Sequence, residues 1–388
     1  MKVTQVASYV NDTIKEIDGT LPLLNEDLSN VVEVGTSLAN VGGYDAYAKA
    51  LPNHIGKVAF AKLVVERMAP DVMRDSWEYG SILEKIRVDI PLADDNETWE
   101  LQDGQSYDPN VFTAPKASVK FWNSIVTFEI KISITRKQIK QSFSDATQLA
   151  SFVAYVFNAI EAGLTVRIDN LTMKLFAGMI ADTLYDTYQS GTVFTGVGDA
   201  KAVNLYALWM IEHPTSTLTA SNCINDPEFL RFAIAQMRIL PSRMKGLSKL
   251  YNIDGVARTT PYSRQKWVML NDFREKAGTY LYDNNGQVNT EHLILPDAHN
   301  VPYWQGTGTD YGFASISKIY VTSPAGHSVE ASGILAVCYD EDALAITNTD
   351  RYVDTNHNGN ASFDNYWFKY EAGYLVDEGE NFVVFFVA

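Results

Sequence analysis

The chain has few of the residues that build disulfides or metal centres. Its 388 residues include two cysteines and six histidines, and none of them stands at a spacing typical of metal ligands. We therefore predict that Cys223 and Cys338 are reduced core residues, as in a protein made in a reducing compartment. We therefore predict no metal site and no cofactor.

Recognisable catalytic motifs are also missing. The sequence contains no Walker, HExxH or GxSxG motif. A glycine-rich stretch, GTGTDYG, occupies residues 306–312, but no helical pattern follows it, so a loop is favoured over a phosphate-binding turn. The sequence therefore predicts no catalytic residue.

One short pattern resembles the start of a calcium-binding loop. Asp354, Asn356 and Asn358 precede a glycine in the order D-x-N-x-N-G, which supplies oxygen ligands and a sharp turn. The twelfth position is Asn365 in place of the bidentate glutamate, and no helical pattern flanks the loop. A polar hairpin turn is favoured over a calcium site.

Long apolar runs and basic charge are scarce. No run approaches the ~18 residues that span a bilayer, and no signal peptide is recognisable, so synthesis in the cytosol is expected. The 47 acidic against 31 basic residues give a net charge of -16, which argues against tight binding of nucleic acid. It is compatible with a protein that encloses DNA. The acidic groups at 94–97 and 340–342 are predicted to be solvated turns.

A polar ribbon occupies residues 98–124. Such a hairpin cannot form its own core, since an isolated two-stranded ribbon is marginal in water. It needs a neighbour, and we predict that its spaced apolar residues contact another subunit. A surface hairpin or a substrate lid within a monomer remains the alternative. The predicted inter-subunit contact residues are Trp99, Leu101, Val111 and Phe112.

An alternating strand follows the ribbon. Apolar and polar residues alternate from Ile125 to Thr135, which is the pattern of a strand with one buried face. Upstream, Val119 and Phe121 are apolar at odd positions, so the alternation slips by one residue near 122–124. A bulge or bend is predicted there.

A long amphipathic helix is predicted from about Asp145 to about Tyr185. At 1.5 Å per residue it would be about 60 Å long. Ser142 or Ser144 is expected to cap its first turn, and Gly163 or Gly178 is a position where it could kink or end. Its apolar residues recur at steps of three and four: Leu149, Phe152, Val153, Val156, Phe157, Ile160, Leu164, Ile168, Leu171 and Leu175.

The remaining segments have mixed patterns. Residues 1–57 are expected to form an extended or partly mobile arm with a short helix near 10–17, and residues 58–68 a helix. Residues 195–330 are predicted to be a separate α+β domain with strands at 267–270, 292–295 and 318–322. Closing strands are predicted at 334–339, 366–370 and 382–387, the last pairing near Ile125–Thr135.

This order of elements resembles the major capsid proteins of tailed bacteriophages, whose α+β fold is called the Johnson fold, and in size those of small short-tailed phages. The most specific similarity lies in ILAVCYDEDALAI, which begins at Ile334, and in YWFKYEAGYLVDEGENFVVFFVA, which ends the chain. The resemblance covers residues 58–388. It implies an N-terminal arm (1–57), the start of a peripheral domain (58–97), an extended loop (98–124), a peripheral strand and spine helix (125–194), an axial domain (195–330) and closing peripheral strands (331–388).

The resemblance also implies a function. Such a chain would be a non-enzymatic subunit, made in the host bacterial cytoplasm, that self-assembles into hexamers and pentamers of an icosahedral virion capsid enclosing double-stranded DNA. Its partners would be copies of itself, a scaffolding protein and a portal protein, and no membrane. Two alternatives remain: an encapsulin-like shell with protein cargo, and a monomeric enzyme or carbohydrate-binding protein that uses the 306–312 loop with Tyr303, Trp304 and Tyr311.

Overall fold

A computed structural model describes residues 3–41, 46–47, 50, 72–74, 83–88, 100–107, 110, 114, 117–122, 124–282, 298–304, 313–323 and 325–388. The helix predicted at 58–68, the strand predicted at 292–295 and the 306–312 loop lie outside these residues. The described helices are α1 (Val3–Ile17), α2 (Val31–Asn40), α3 (Arg136–Ser142), α4 (Ala146–Tyr188), α5 (Leu205–Glu212), α6 (Pro227–Arg243), α7 (Asn271–Tyr282) and α8 (Phe313–Ile316).

The described strands form two larger sheets and two ribbons. They are β1 (Met73–Arg74), β2 (Leu83–Val88), β3 (Ala117–Trp122), β4 (Ile125–Thr135), β5 (Ala202–Asn204), β6 (Gln265–Leu270), β7 (Ala298–Val301), β8 (Ile319–Thr322), β9 (Ser328–Ala331), β10 (Ile334–Asp340), β11 (Leu344–Asn358), β12 (Phe363–Val376) and β13 (Phe382–Phe386). The four-stranded sheet has the order β1-β11-β12-β4, and the five-stranded sheet has the order β5-β13-β10-β6-β7. The ribbons are β2-β3 and β8-β9.

The short helix predicted near 10–17 is confirmed as part of α1, which begins earlier, and α2 is a second helix, so the prediction of an extended arm is wrong where these helices lie. Val6, Val10 and Ile14 recur at helical spacing along α1 and are buried. In α2, Gly35 lies so close to Phe143 that an added Cβ would stand 2.6 Å from the Cβ of that side chain. Both helices are therefore packed against the body of the protein.

The strand predicted at Ile125–Thr135 is confirmed with the same ends as β4. Its residues alternate between more and less exposed positions, and Ile134 is fully buried. Thr135 ends the strand and caps α3, since its hydroxyl accepts from the Gln138 N–H at 3.2 Å. The Gln138 side chain accepts in return from the Thr135 N–H at 2.8 Å.

The long helix predicted from about Asp145 to about Tyr185 is confirmed as α4 and extends over 43 residues. Its cap is Asp145, which accepts from the Thr147 N–H at 3.0 Å. The predicted caps Ser142 and Ser144 are wrong, because their hydroxyls donate to the preceding carbonyls of Ile139 and Gln141.

Neither Gly163 nor Gly178 ends the helix. An added Cβ at Gly163 would lie 2.9 Å from Cδ1 of Ile130, so this glycine allows close packing on β4. By length and apolar content α4 would be able to cross a membrane. The apolar window that makes it a candidate is 33% buried in the protein, whereas residues from Phe176 to Leu184 are all buried.

The predicted pairing of the last strand is wrong. β13 pairs with β10 and β5, while β12 is the neighbour of β4, from Phe363↔Thr135 to Gly373↔Ile125. Every residue of β13 and β10 is buried, so these strands need a sheet covered on both faces, whereas β4 has one polar face. The five-stranded sheet thus takes strands from both sides of the predicted boundary at residue 330.

The prediction of a solvated turn at 340–342 is wrong for its first residue. Asp340 is 1% exposed, and its carboxylate accepts from Arg264 at 2.7 Å and from the Thr260 hydroxyl at 2.8 Å. It is therefore not a solvated residue. The acidic group at 94–97 lies outside the described residues. Cys223 and Cys338 are free and buried, as predicted.

Candidate inter-subunit surface

The two-stranded ribbon β2-β3 shares only β3 with the polar ribbon predicted at 98–124. It has two chemically different faces. Lys85 is paired with Lys120, and Ile86 is paired with Val119. Because successive residues of a strand point to opposite faces, the two lysines share one face and the two apolar residues share the other. Phe121 lies on the same face as Val119.

The lysine face is attached to the turn between β12 and β13. Lys85 Nζ lies 3.0 Å from Oδ2 of Asp377 and 2.6 Å from Oε1 of Glu380. Lys120 Nζ forms an ion pair with Asp254 and lies 3.7 Å from Oδ1 of Asp377. These contacts join the ribbon to the end of the four-stranded sheet.

The carboxylates of this attachment are buried. The side chains of Asp377 and Glu380 are 0% and 7% exposed, and buried carboxylates are costly unless they are paired. Arg258 supplies a further cation, with Nε 3.7 Å from Glu380. Burial, together with the nearby carboxylates of Asp182 and Asp254, raises the pKa of Glu378, while the charge of Lys120 lowers it.

One hydrogen bond fixes the end of the ribbon. The indole N–H of Trp122 donates to the Val376 carbonyl at 3.1 Å. The next described strand, β4, belongs to the four-stranded sheet. The slip in alternation at 122–124 is therefore the place where the chain passes from one sheet to another.

Three apolar residues on the other face of the ribbon are exposed. Ile86, Val119 and Phe121 are 64%, 44% and 63% exposed. Because Ile86 and Val119 are paired and Phe121 follows on the same face, these residues are a candidate interaction site. We call these three residues the outer ribbon face.

The predicted contact residues fall only partly on described structure. Leu101 is 60% exposed, which leaves it accessible to a neighbour, and its proposed contact stays a prediction. Trp99, Val111 and Phe112 lie outside the described residues. The outer ribbon face was not among the predicted contacts, although the odd-position apolar residues Val119 and Phe121 were its sequence signal.

The calcium-like pattern lies in a β-hairpin. Asp354 and Asn356 are on β11, and Asp354 forms an ion pair with Lys369 of β12. Asn358 accepts from the N–H groups of Asn360 and Ala361 at 3.1 and 3.2 Å, so the favoured hairpin turn is confirmed. Within the described ranges, no group of three or more His, Cys, Asp or Glu residues is arranged to hold a metal ion.

Trp304 is a core residue. It is 1% exposed, and its indole N–H donates to the Ile334 carbonyl at 3.0 Å. It therefore presents no ring surface for stacking a sugar, which removes one of the three aromatic residues on which the binding-protein alternative depended.

Comparisons with known proteins agree on one class. A protein-family model described as Phi29-like phage major capsid protein matches residues 9–386. The chain is similar to a chain in the capsid structure of Staphylococcus phage Andhra, at 12% identity and a TM-score of 0.50, over 82% of this chain and 83% of that chain. This likeness shows a phage capsid fold.

Two further structures are similar at lower scores. One is a structure of the head fibre and inner core protein gp22 of native bacteriophage P68, at 12% identity and a TM-score of 0.47, over 82% of this chain and 83% of that chain. The other is the capsid structure of the cyanophage P-SCSP1u, at 10% identity and a TM-score of 0.43, over 82% and 86%. No curated protein sequence matches the chain.

Proposed function

The chain belongs to the Phi29-like phage major capsid protein family and is a structural subunit of a phage capsid, and we propose that its copies assemble into the hexamers and pentamers of an icosahedral head by means of the β2-β3 ribbon. The two-faced ribbon carries this proposal. One face is tied to the body by ion pairs to buried carboxylates, and the other carries three apolar side chains that a single subunit leaves exposed.

The arrangement suits a contact between subunits. The lysine face fixes where the ribbon lies, so little freedom is lost when a neighbour packs on the other face. Fully burying a Val, Ile or Phe side chain is worth about 1.5–3 kcal/mol. The outer ribbon face would thus contribute on the order of a few kcal/mol per contact, repeated around each ring.

The assignment of regions belongs to the same proposal. Residues 98–124 would act as the extended loop that overlies a neighbour, with Trp99, Leu101, Val111 and Phe112 as contacts. The segments 58–97, 125–194 and 331–388 would form the peripheral domain, residues 195–330 the axial domain and residues 1–57 the N-terminal arm. The five-stranded sheet would then join the axial and peripheral regions.

The contents and partners of the shell follow from family and charge. We propose that the shell encloses double-stranded DNA, since a net charge of -16 keeps most of the surface from adhering to phosphates. A scaffolding protein and a portal protein are the further partners that the family implies. The subunit would be made in the cytoplasm of the host bacterium and function in the virion.

The test compares purified wild-type protein with the double variant Ile86→Ser/Phe121→Ser. Light scattering and negative-stain microscopy should show wild-type particles far larger than the 43.2 kDa subunit, while the variant stays as folded subunits or small oligomers. Val193→Ser, which replaces another exposed apolar residue (56% exposed), is the matched control and should assemble. A wild-type protein that remains a monomer under all assembly conditions would contradict the proposal.

A further inference from the structure

One stretch of the chain is basic, although the protein is acidic overall. Between Phe229 and Leu250 the sequence has five basic and no acidic side chains, in a chain whose net charge is -16. The five basic residues are all exposed, on α6 and the loop after it: Arg231, Arg238, Arg243, Lys245 and Lys249.

The end of this stretch is held in a defined conformation. The backbones of Ser248 and Arg258 exchange hydrogen bonds of 3.0 and 2.9 Å, and the Thr260 N–H donates to the Met244 carbonyl at 2.7 Å. Lys245 Nζ lies 4.3 Å from the ring centroid of Tyr262. The cations are thus presented on an ordered loop, which reduces the entropy lost on binding.

Apolar side chains stand among these cations. Leu247, Leu250 and Tyr262 are 45%, 65% and 57% exposed. We call Arg243, Lys245, Lys249 and these three residues the basic platform. Phosphate groups offer nothing for leucine to pack against, whereas a protein surface with apolar residues among carboxylates matches both parts of the platform. The platform therefore favours a protein partner over DNA.

The chain itself carries a complementary surface. Residues 3–41 contain six acidic residues and one basic residue. Their packed helices α1 and α2 leave Val3, Val32 and Val41 48%, 57% and 60% exposed. We call these helices and the loop between them the acidic helix pair. Its exposed acidic residues are Asp12, Glu16, Glu26, Asp27 and Glu33.

We infer that the basic platform of one subunit docks on the acidic helix pair of a neighbouring copy. The inference rests on the proposed function, because two different patches on one chain make a head-to-tail contact, and such contacts close into rings when the rotation permits. Hexamers and pentamers are rings of this kind. Opposite charges would also steer subunits together, so assembly should slow as salt rises.

Charge reversal tests the contact in both directions. Arg243→Glu/Lys249→Glu reverses the platform, and Glu26→Lys/Asp27→Lys reverses the helix pair. Each double variant should lower the assembled fraction by about tenfold or more, because like charges placed opposite each other cost several kcal/mol. A chain that carries all four substitutions should assemble again, since the opposed charges are restored. Lys137→Glu/Lys140→Glu, at exposed positions of α3, is the matched control and should assemble normally.

The outcomes separate this contact from the shell function. If wild-type protein assembles and both reversed variants assemble equally well, the docking is wrong and the shell function stands. If the four-fold variant stays unassembled, or if the platform variant assembles but loses affinity for double-stranded DNA, the docking is also wrong. Failure of the wild type to assemble would overturn both proposals. Circular dichroism of each variant should match the wild type, because all these side chains are exposed. The melting temperature of the helix-pair variant should fall slightly, because the Asp27 carboxylate accepts from the Ser29 N–H at 3.0 Å.

Discussion

Lys85 and Lys120 face each other across β2 and β3, and both reach the buried carboxylate of Asp377, at 3.0 and 3.7 Å from its two oxygens. Two like charges placed directly opposite each other on a ribbon are ordinarily destabilising. Here the carboxylate of Asp377 lies close to both of them, while Glu380 pairs with Lys85 and Asp254 pairs with Lys120. Among these three carboxylates, Asp377 is the one that contacts both lysines.

Asp377→Asn should weaken this attachment. The amide keeps the size of the side chain but removes its charge, and hydrogen bonds to charged groups are worth about 1.5–3 kcal/mol. We expect the free energy of unfolding to fall by about that amount in urea titrations. Asp354→Asn is the control, because its ion pair with Lys369 is exposed and exposed pairs contribute about 0–1 kcal/mol. Equal losses in the two variants would contradict the special role of Asp377.

The sequence predicted those elements whose pattern is local. The alternation of Ile125–Thr135 and the apolar stripe of α4 depend on neighbouring residues, so both elements were found nearly to the residue. The attachment of Lys85 to Asp377 joins residues 292 positions apart, and no local pattern contains it. The outer ribbon face was missed for the same reason, since the contacts of the lysines decide which face of the ribbon is left exposed.

The wrong predictions share a physical cause. Nothing in a run of apolar residues such as Phe382–Phe386 specifies which strand it pairs with, only that it must be buried. The exposed appearance of Asp340 in an acidic turn was overturned by Arg264, which lies far from it in the sequence. The first N-terminal helix was predicted only near 10–17, although Val6, Val10 and Ile14 recur at helical spacing along α1.

Deleting residues 103–110 should impair assembly without unfolding the subunit. Gln102, Asp103, Gly104 and Gln105 are exposed, so the subunit loses little packing when this part of the ribbon region is removed. We expect an unchanged melting temperature for the isolated subunit and fewer or less stable particles by light scattering. Replacing the same residues by a Gly-Ser stretch of equal length separates loss of contacts from loss of length. Unaltered particles with wild-type melting would contradict the role of this segment.

The pair Asp182 and His327 should make stability depend on pH. Asp182 is 3% exposed, and burial raises its pKa, while the Ser323 hydroxyl and His327 lower it. His327 Nδ1 lies 3.6 Å from Asp182 Oδ1, with its ring stacked on Tyr185. Glu378 adds nearby negative charge.

A raised pKa means that the folded state favours the protonated carboxyl. The stability gained from protonation is fully present below the unfolded value of 3.8 and is lost as pH rises through the folded pKa. Asp182→Asn should therefore gain stability relative to wild type as pH rises from acidic to neutral. Urea titrations of both proteins across that range measure the difference. If the difference in free energy of unfolding between the two proteins did not change with pH, the pKa of Asp182 would be the same in the folded and unfolded states, which would contradict the prediction.

The substitution Gly163→Ala should affect stability differently in the wild type and in a variant with a shorter side chain at position 130. An alanine at this position would place Cβ 2.9 Å from Cδ1 of Ile130 and 3.4 Å from its Cγ1, so Gly163→Ala alone forces that methyl to move and loses packing on β4. In Ile130→Val the Cδ1 atom is absent, and the remaining contact is an ordinary one. Alanine is favoured over glycine inside a helix by about 0.8–1.0 kcal/mol. We expect Gly163→Ala to be neutral or destabilising in the wild type and stabilising by about 0.5–1 kcal/mol in the Ile130→Val background. A double-mutant cycle from urea titrations measures this coupling, and an effect of the same sign and size in both backgrounds would mean that the helix does not need glycine to approach the strand.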